Sequence, residues 1–165
     1  MLTQAQLKSL LDFNPDTGVF TWKHRPDGVT QWNNRYVGSQ AGSHDMDGYI
    51  QISVNNKRLK AHRLAWLWVT GDFPTGEIDH INGVKDDNRI ANLRDANRTE
   101  NGQNIRSAKN HNKSGMLGVS PCLDKWRATI VVGKKQIHLG VFLEKEQAHD
   151  AYVLAKRKYH ENCTI

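Results

Sequence analysis

The sequence predicts an α+β chain made of small modules, and three observations carry that prediction. Apolar residues make up only 38% of 165 residues, which is little for a single large core. Period-2 alternation and period-3.6 spacing both occur in short runs that take turns along the chain. Charge is unevenly placed. Residues 1–104 hold 12 Lys/Arg against 12 Asp/Glu, whereas residues 105–165 hold 11 against 5 and so carry the whole formal +6. A basic C-terminal module points to an anionic partner, with nucleic acid the natural class.

The elements follow in order. Thr3 stands where a helix N-cap is expected, and Leu7, Leu10 and Leu11 follow at helical spacing. "NPDTG" reads as a turn and "VFTWK" as a strand, so the chain opens with a helix on a small hairpin. Residues 24–43 are rich in Gly, Asn and Gln and read as loop. In "GYIQISVNNKRLKAH" Ile50, Ile52 and Val54 alternate with polar residues, and Asn55-Asn56 makes a tight turn to a second strand. "HRLAWLWVTG" reads as a helix with Leu64, Leu67 and Trp68 on one side and Gly71 as its stop. "EIDHI" is a strand and "NGVKDDN" a loop. A helix is expected within 89–105, with its start near Asn92-Leu93.

Residues 105–113 are polar and basic and read as a linker. "GVSPCL", "KWRATIVVG" and "KKQIHLGVF" read as three strands. "EKEQAHDAYVLAKRKYHE" reads as a helix with Ala148, Ala151, Tyr152 and Ala155 as a thin apolar face, and with Lys156, Arg157 and Lys158 on a solvated one. The four resulting regions are 1–61, 62–104, 105–113 and 114–165. Cys122 and Cys163 lack CxxC spacing, which argues against a structural zinc site and suits a reducing compartment. The N-terminus shows no signal-peptide pattern, and no apolar run is long enough to cross a membrane.

The chemistry concentrates in "EIDHINGVKDDNRIANLRDANRTENGQN", residues 77–104. Phosphodiester hydrolysis needs a base for water, charge stabilisation at the phosphate, and a counter-charge for the leaving oxygen. One His and one hard divalent cation supply all three. Asp79 is a suitable anionic ligand with His80 beside it. Asn88, Asn92, Asn97, Asn101 and Asn104 are all possible neutral oxygen donors, and spacing alone does not choose among them.

The strings "HRLAW" (62–66), "IDHINGVKDDNRIANLR" (78–94) and "TEN" (99–101) resemble the HNH nuclease family, in particular its phage homing-endonuclease branch. That resemblance implies a ββα-metal fold at 62–104. It makes Asp79 the first metal ligand and His80 the general base. Asn92 becomes the residue that fixes the loop and the histidine, and Asn101 the second metal ligand. Asp at the first metal position and Asn at the last imply Mg²⁺, with Mn²⁺ as the substitute and no structural zinc.

Residues 114–160 resemble the plant ethylene-response-factor (APETALA-type) DNA-binding domain through "GV", "KWRATI", "HLGVF" and "EQAHDAY". The resemblance implies a sheet that meets double-stranded DNA. Leu117 and Ser120 stand where that family commonly has basic residues, so modest selectivity is expected. Arg63, Lys109, Lys113, Lys125, Trp126, Arg127, Lys134 and Lys135 are the expected DNA contacts. Together these readings describe a metal-dependent endonuclease or nickase of phage origin, working on DNA in the cytoplasm of an infected bacterium. The alternative is a DNA-binding regulator with an inactive HNH fold.

Overall fold

The structure is a computed structural model that describes residues 2–26, 30–108, 112–160 and 163. It is α+β, with short helices and several small antiparallel sheets. The chain divides into two compact units, residues 1–96 and 97–165.

In the first unit, α1 (Gln4–Leu10) starts at a capping box. Thr3 Oγ accepts the Gln6 N–H at 3.2 Å, and Gln6 Oε1 accepts the Thr3 N–H at 3.0 Å. Leu11 does not continue this helix. It begins β1 (Leu11–Asn14), which pairs with β2 (Val19–Trp22). Period-3.6 spacing placed Leu11 on the helix because Leu10 and Leu11 are both apolar; burial of Leu11 and Phe13, with Asp12 and Asn14 exposed, is instead a strand pattern.

Residues read as loop contain α2 (Thr30–Tyr36), whose polar composition conceals an aromatic pair one turn apart. The Trp32 and Tyr36 rings lie 5.2 Å apart, and Trp32 meets Trp22 edge-on at 5.4 Å.

β3 (Ser43–His44), β4 (Ile50–Val54) and β5 (Lys57–Lys60) form a three-stranded sheet. Asn55 and Asn56 both adopt positive φ, +50° and +60°, as a two-residue turn of the primed type requires. Ile52 and Val54 face the core, while Gln51 and Ser53 alternate to the other side. α3 (Ala61–Thr70) buries Ala61, Leu64, Ala65 and Leu67 and ends on Gly71 in the left-handed region. Leu7, Leu11, Phe20, Ile52, Val54, Leu64 and Leu67 are the largest fully buried side chains of one shared core, with Trp66 and Trp68 packed at its edge.

β6 (Glu77–His80) pairs with β7 (Leu93–Ala96). Here the expected helix start at Asn92-Leu93 is corrected. A 3-10 turn at Ile90–Asn92 precedes an extended Leu93, and Leu93 and Ala96 are buried, Leu93 in the shared core.

In the second unit, α4 (Arg98–Gln103) is capped reciprocally. Asn97 Oδ1 accepts the Glu100 N–H at 3.0 Å, and Glu100 Oε2 accepts the Asn97 N–H at 2.8 Å. β8 (Val119–Cys122), β9 (Lys125–Val132) and β10 (Lys135–Phe142) form a sheet in the order β10-β9-β8, and α5 (Lys145–Tyr159) packs on it. Ala148, Tyr152 and Ala155 supply the buried helix face. Gly118 sits at φ +71°, and a Cβ there would lie 1.9 Å from the Tyr152 ring, so only glycine permits this approach. Lys156 departs from the expected solvated face. It is 1% exposed and donates to the Ile105 carbonyl, while Arg157 and Lys158 are exposed.

Candidate functional site

The hairpin of β6 and β7 places Asp79 and His80 side by side at the end of a short strand. Register pairs Asp79 with Arg94 and His80 with Leu93. Both residues are buried, at 6% and 5% exposure. The 81–92 loop then returns over them.

His80 Nε2 lies 3.2 Å from Asn88 Oδ1. The Asn88 amide nitrogen donates to the Asp86 carbonyl at 3.2 Å, which turns its oxygen toward the ring. Nε2 is therefore the donor, and the basic lone pair sits on Nδ1. Burial is the main cause that lowers the His80 pKa; the hydrogen bond to Asn88 and the carboxylates of Asp79, Asp87 and Asp86 oppose it. A neutral ring, able to accept a proton, is the resting form at neutral pH.

Two further rings pack around the base. His62, on the first turn of α3, meets His80 edge-on with centroids 5.1 Å apart. Tyr49 lies 5.9 Å from His80 and 5.3 Å from His62. His62 is 7% exposed, and its Nδ1 has no hydrogen-bond partner. Desolvation, then the positive potential of His80, Arg63 and Lys60, lowers its pKa to about 3. Lys60 and Lys85 lie over the Tyr49 ring at 4.7 and 5.3 Å.

The Asp79 carboxylate faces Arg94, whose Nε and Nη2 both donate to Oδ2, at 2.9 and 2.6 Å. Asn92 ties the loop across its width. Its Oδ1 accepts the Asn82 N–H at 2.9 Å, and its Nδ2 donates to the Asp87 carbonyl at 2.8 Å. Asp87 accepts from Arg89 Nε and Nη2 and from Asn82 Nδ2, and the Arg89 bonds foremost hold its pKa down at about 2. His44 reaches Asp86 at 3.1 Å, and Lys85 donates to the Asp47 carbonyl at 2.8 Å, so the loop is also pinned to the β3–β4 turn.

Asp79, His80 and Asn92 thus lie on one hairpin and its loop, whereas Asn101 lies on α4 in the second unit. Arg63 donates to the Gly76 and Pro74 carbonyls at 3.1 and 3.3 Å and so braces the turn before β6. Lys113, Lys125, Arg127, Lys134 and Lys135 are exposed, and Arg127 also approaches Cys122 Sγ at 3.0 Å. Trp126 packs on the helix side of the sheet with Val119, Ala128 and Ala148. Lys109 lies outside the described residues.

Three participants escaped the sequence reading as partners of the pair: Asn88, Arg94 and Tyr49. Arg94 needed the strand register of β7, and Tyr49 needed the packing of β4 on α3. Asn88 was one of five equivalent-looking Asn residues.

Residues 59–103, a stretch shorter than half the chain, match a family model described as HNH endonuclease. No curated protein and no solved structure matches the chain. The match supports an HNH nuclease assignment for this stretch; such domains act on DNA and generally use a divalent metal. Among the described residues, no helix is long and apolar enough to cross a membrane.

Proposed function

We propose that this chain is a divalent-metal-dependent DNA endonuclease in which His80 is the general base. The observation that carries the reading is the buried His80 ring, held by Asn88 next to Asp79 inside the stretch that matches the HNH model. His80 takes a proton from the attacking water on Nδ1. Asn88 keeps Nε2 protonated and the ring oriented. Asn92 keeps the 81–92 loop closed over both residues.

The donor set around Asp79 fits a single hard cation. Among the described residues no three or more His, Cys, Asp and Glu cluster. One carboxylate and neutral amide oxygens remain, which suits a hard cation that keeps most of its waters. Asp79 would hold it, and Arg94 already orients that carboxylate through Oδ2. Asn101 would be the second ligand, on the strength of its motif alone. When bound, such an ion, Mg²⁺ or Mn²⁺, neutralises charge on the scissile phosphate and on the leaving 3′ oxygen. The products then carry 5′-phosphate and 3′-hydroxyl ends.

The second unit is the DNA-holding tail in this reading. Lys113, Lys125, Arg127, Lys134 and Lys135 are exposed on or beside its sheet. Resemblance to the ethylene-response-factor type domain supports this use, and resemblance to the homing branch supports a phage-encoded enzyme or nickase.

The test is cleavage of supercoiled plasmid by wild type and His80→Ala. His80→Ala is expected to bind DNA as wild type does and to lose cleavage by at least about 10²-fold, the usual worth of a positioned base. Equal turnover by both proteins would remove His80 from the mechanism.

A further inference from the structure

Outside the stretch that matches the nuclease model, the Arg25 guanidinium is held on two indole rings with no carboxylate partner among the described residues. Arg25 places its guanidinium 3.9 Å from the Trp32 ring centroid and 4.9 Å from that of Trp22. Its backbone is clamped by Asn33, which accepts the Arg25 N–H at 3.0 Å and donates to the Arg25 carbonyl at 2.9 Å. No described carboxylate pairs with it, and its Nε is buried without a partner. Burying part of a guanidinium without an acceptor is unfavourable, and stacking on two indoles offsets only part of that cost. The planar guanidinium fork keeps its other N–H groups for an oxyanion, and a backbone phosphate offers two such oxygens.

One of the rings that hold Arg25, Trp22, also lines a groove. Trp22 and Tyr36, joined through Trp32, line a cavity of about 890 Å³ over the outer face of β4 and β5. Cross-strand pairs Gln51–Lys60 and Ser53–Arg58 present their side chains to it. Asp45 lines it too, but Lys60 and Gln51 both donate to that carboxylate, so its charge is compensated. Arg58 has no carboxylate partner among the described residues. At Lys60 the groove adjoins the catalytic rings, because the Lys60 ammonium lies over Tyr49 and Tyr49 touches His62 and His80.

We propose that Arg25, held on the edge-to-face Trp22–Trp32 pair beside the groove, binds a backbone phosphate of DNA that runs along this groove toward His80. The proposal rests on the nuclease reading for the identity of the anion. It assigns the N-terminal region a share in holding the substrate.

The experiment measures affinity of the full-length chain for a fluorescein-labelled, mixed-sequence DNA duplex by anisotropy across a potassium chloride series. A His80→Ala background keeps the probe intact. Loss of one phosphate contact lowers the slope of log K against log salt by about 1. Arg25→Met is expected to show that drop and a Kd raised about three- to tenfold, with an unchanged or higher Tm. Trp32→Leu should move affinity in the same direction, and Arg25→Lys, which keeps the charge, should retain most of the slope. Arg25→Met with unaltered Kd and slope would overturn the proposal and leave the stack a structural brace. Should Arg25→Met not fold, Arg25→Lys and Trp32→Leu decide the question, and unaltered affinity in both is again the refuting result. DNA binding without cleavage by the wild type refutes the nuclease reading alone, and absence of DNA binding refutes both.

Discussion

Asn88→Ala tests the wiring of the base more sharply than removal of the base itself. Asn88 is 3% exposed and His80 5%, so no water replaces the lost amide without rearrangement. Alanine removes two bonds at once, the contact to His80 Nε2 and the donation to the Asp86 carbonyl. The first loss leaves a buried ring N–H without an acceptor, a penalty of about 1–3 kcal/mol. The second removes an ordinary neutral bond, about 1 kcal/mol. A loss of about 2–4 kcal/mol in stability follows, at about 4–8 °C of Tm per kcal/mol for a unit of this size. The rate falls separately, because a ring freed from Asn88 populates both tautomers and swings away from the water. If 1–3 kcal/mol of that anchoring appears in the barrier, cleavage slows by about 5- to 150-fold. The assay is single-turnover plasmid cleavage at saturating enzyme, well below the variant's Tm. A folded Asn88→Ala protein that cuts at the wild-type rate would refute the orienting role.

Two other outcomes follow from the same packing. His62 has a folded pKa of about 3 against an ordinary 6.5, so the unfolded chain binds the extra proton between those values. Stability therefore rises with pH from about 3 to 6.5 and is lost on acidification. Denaturant titrations between pH 4.5 and 6.5 should show this slope, and His62→Leu should flatten it; an equally steep slope in the variant would contradict the assignment. In the second unit, Gly118→Ala drives a methyl into the Tyr152 ring at a position with φ +71°, at a cost of about 1–3 kcal/mol. Calorimetry should show that unit melting earlier, with DNA affinity falling in step; an unshifted melt would mean that the helix yields freely.

Much of this was legible in the sequence where local rules act alone. The β4–β5 hairpin announces itself by alternation around Asn55-Asn56, and α3 by its apolar stripe closed with Gly71. The C-terminal strands and α5 likewise follow from period and turn residues. What stayed hidden depends on partners distant along the chain. β7 is a strand because it pairs with β6, although its residues alone read as a continuing helix. α2 is stabilised by Trp22, which stands on a different element. Lys156 is buried because its ammonium finds the Ile105 carbonyl, 51 residues earlier. At the site, the Asp79-His80 pair stood out in the sequence. The partners that tune it, Asn88 and Arg94, appear only once the loop is folded and the register is known.

The most direct test of the central claim is cleavage of supercoiled plasmid by wild type and Asp79→Ala, each with Mg²⁺ and with EDTA. The nuclease account predicts nicked or linear product from wild type with Mg²⁺, and none from the variant or in EDTA. Cleavage that persists in Asp79→Ala or in EDTA would contradict it, as would intact plasmid, and intact phage genomic DNA, in a wild-type sample that binds both.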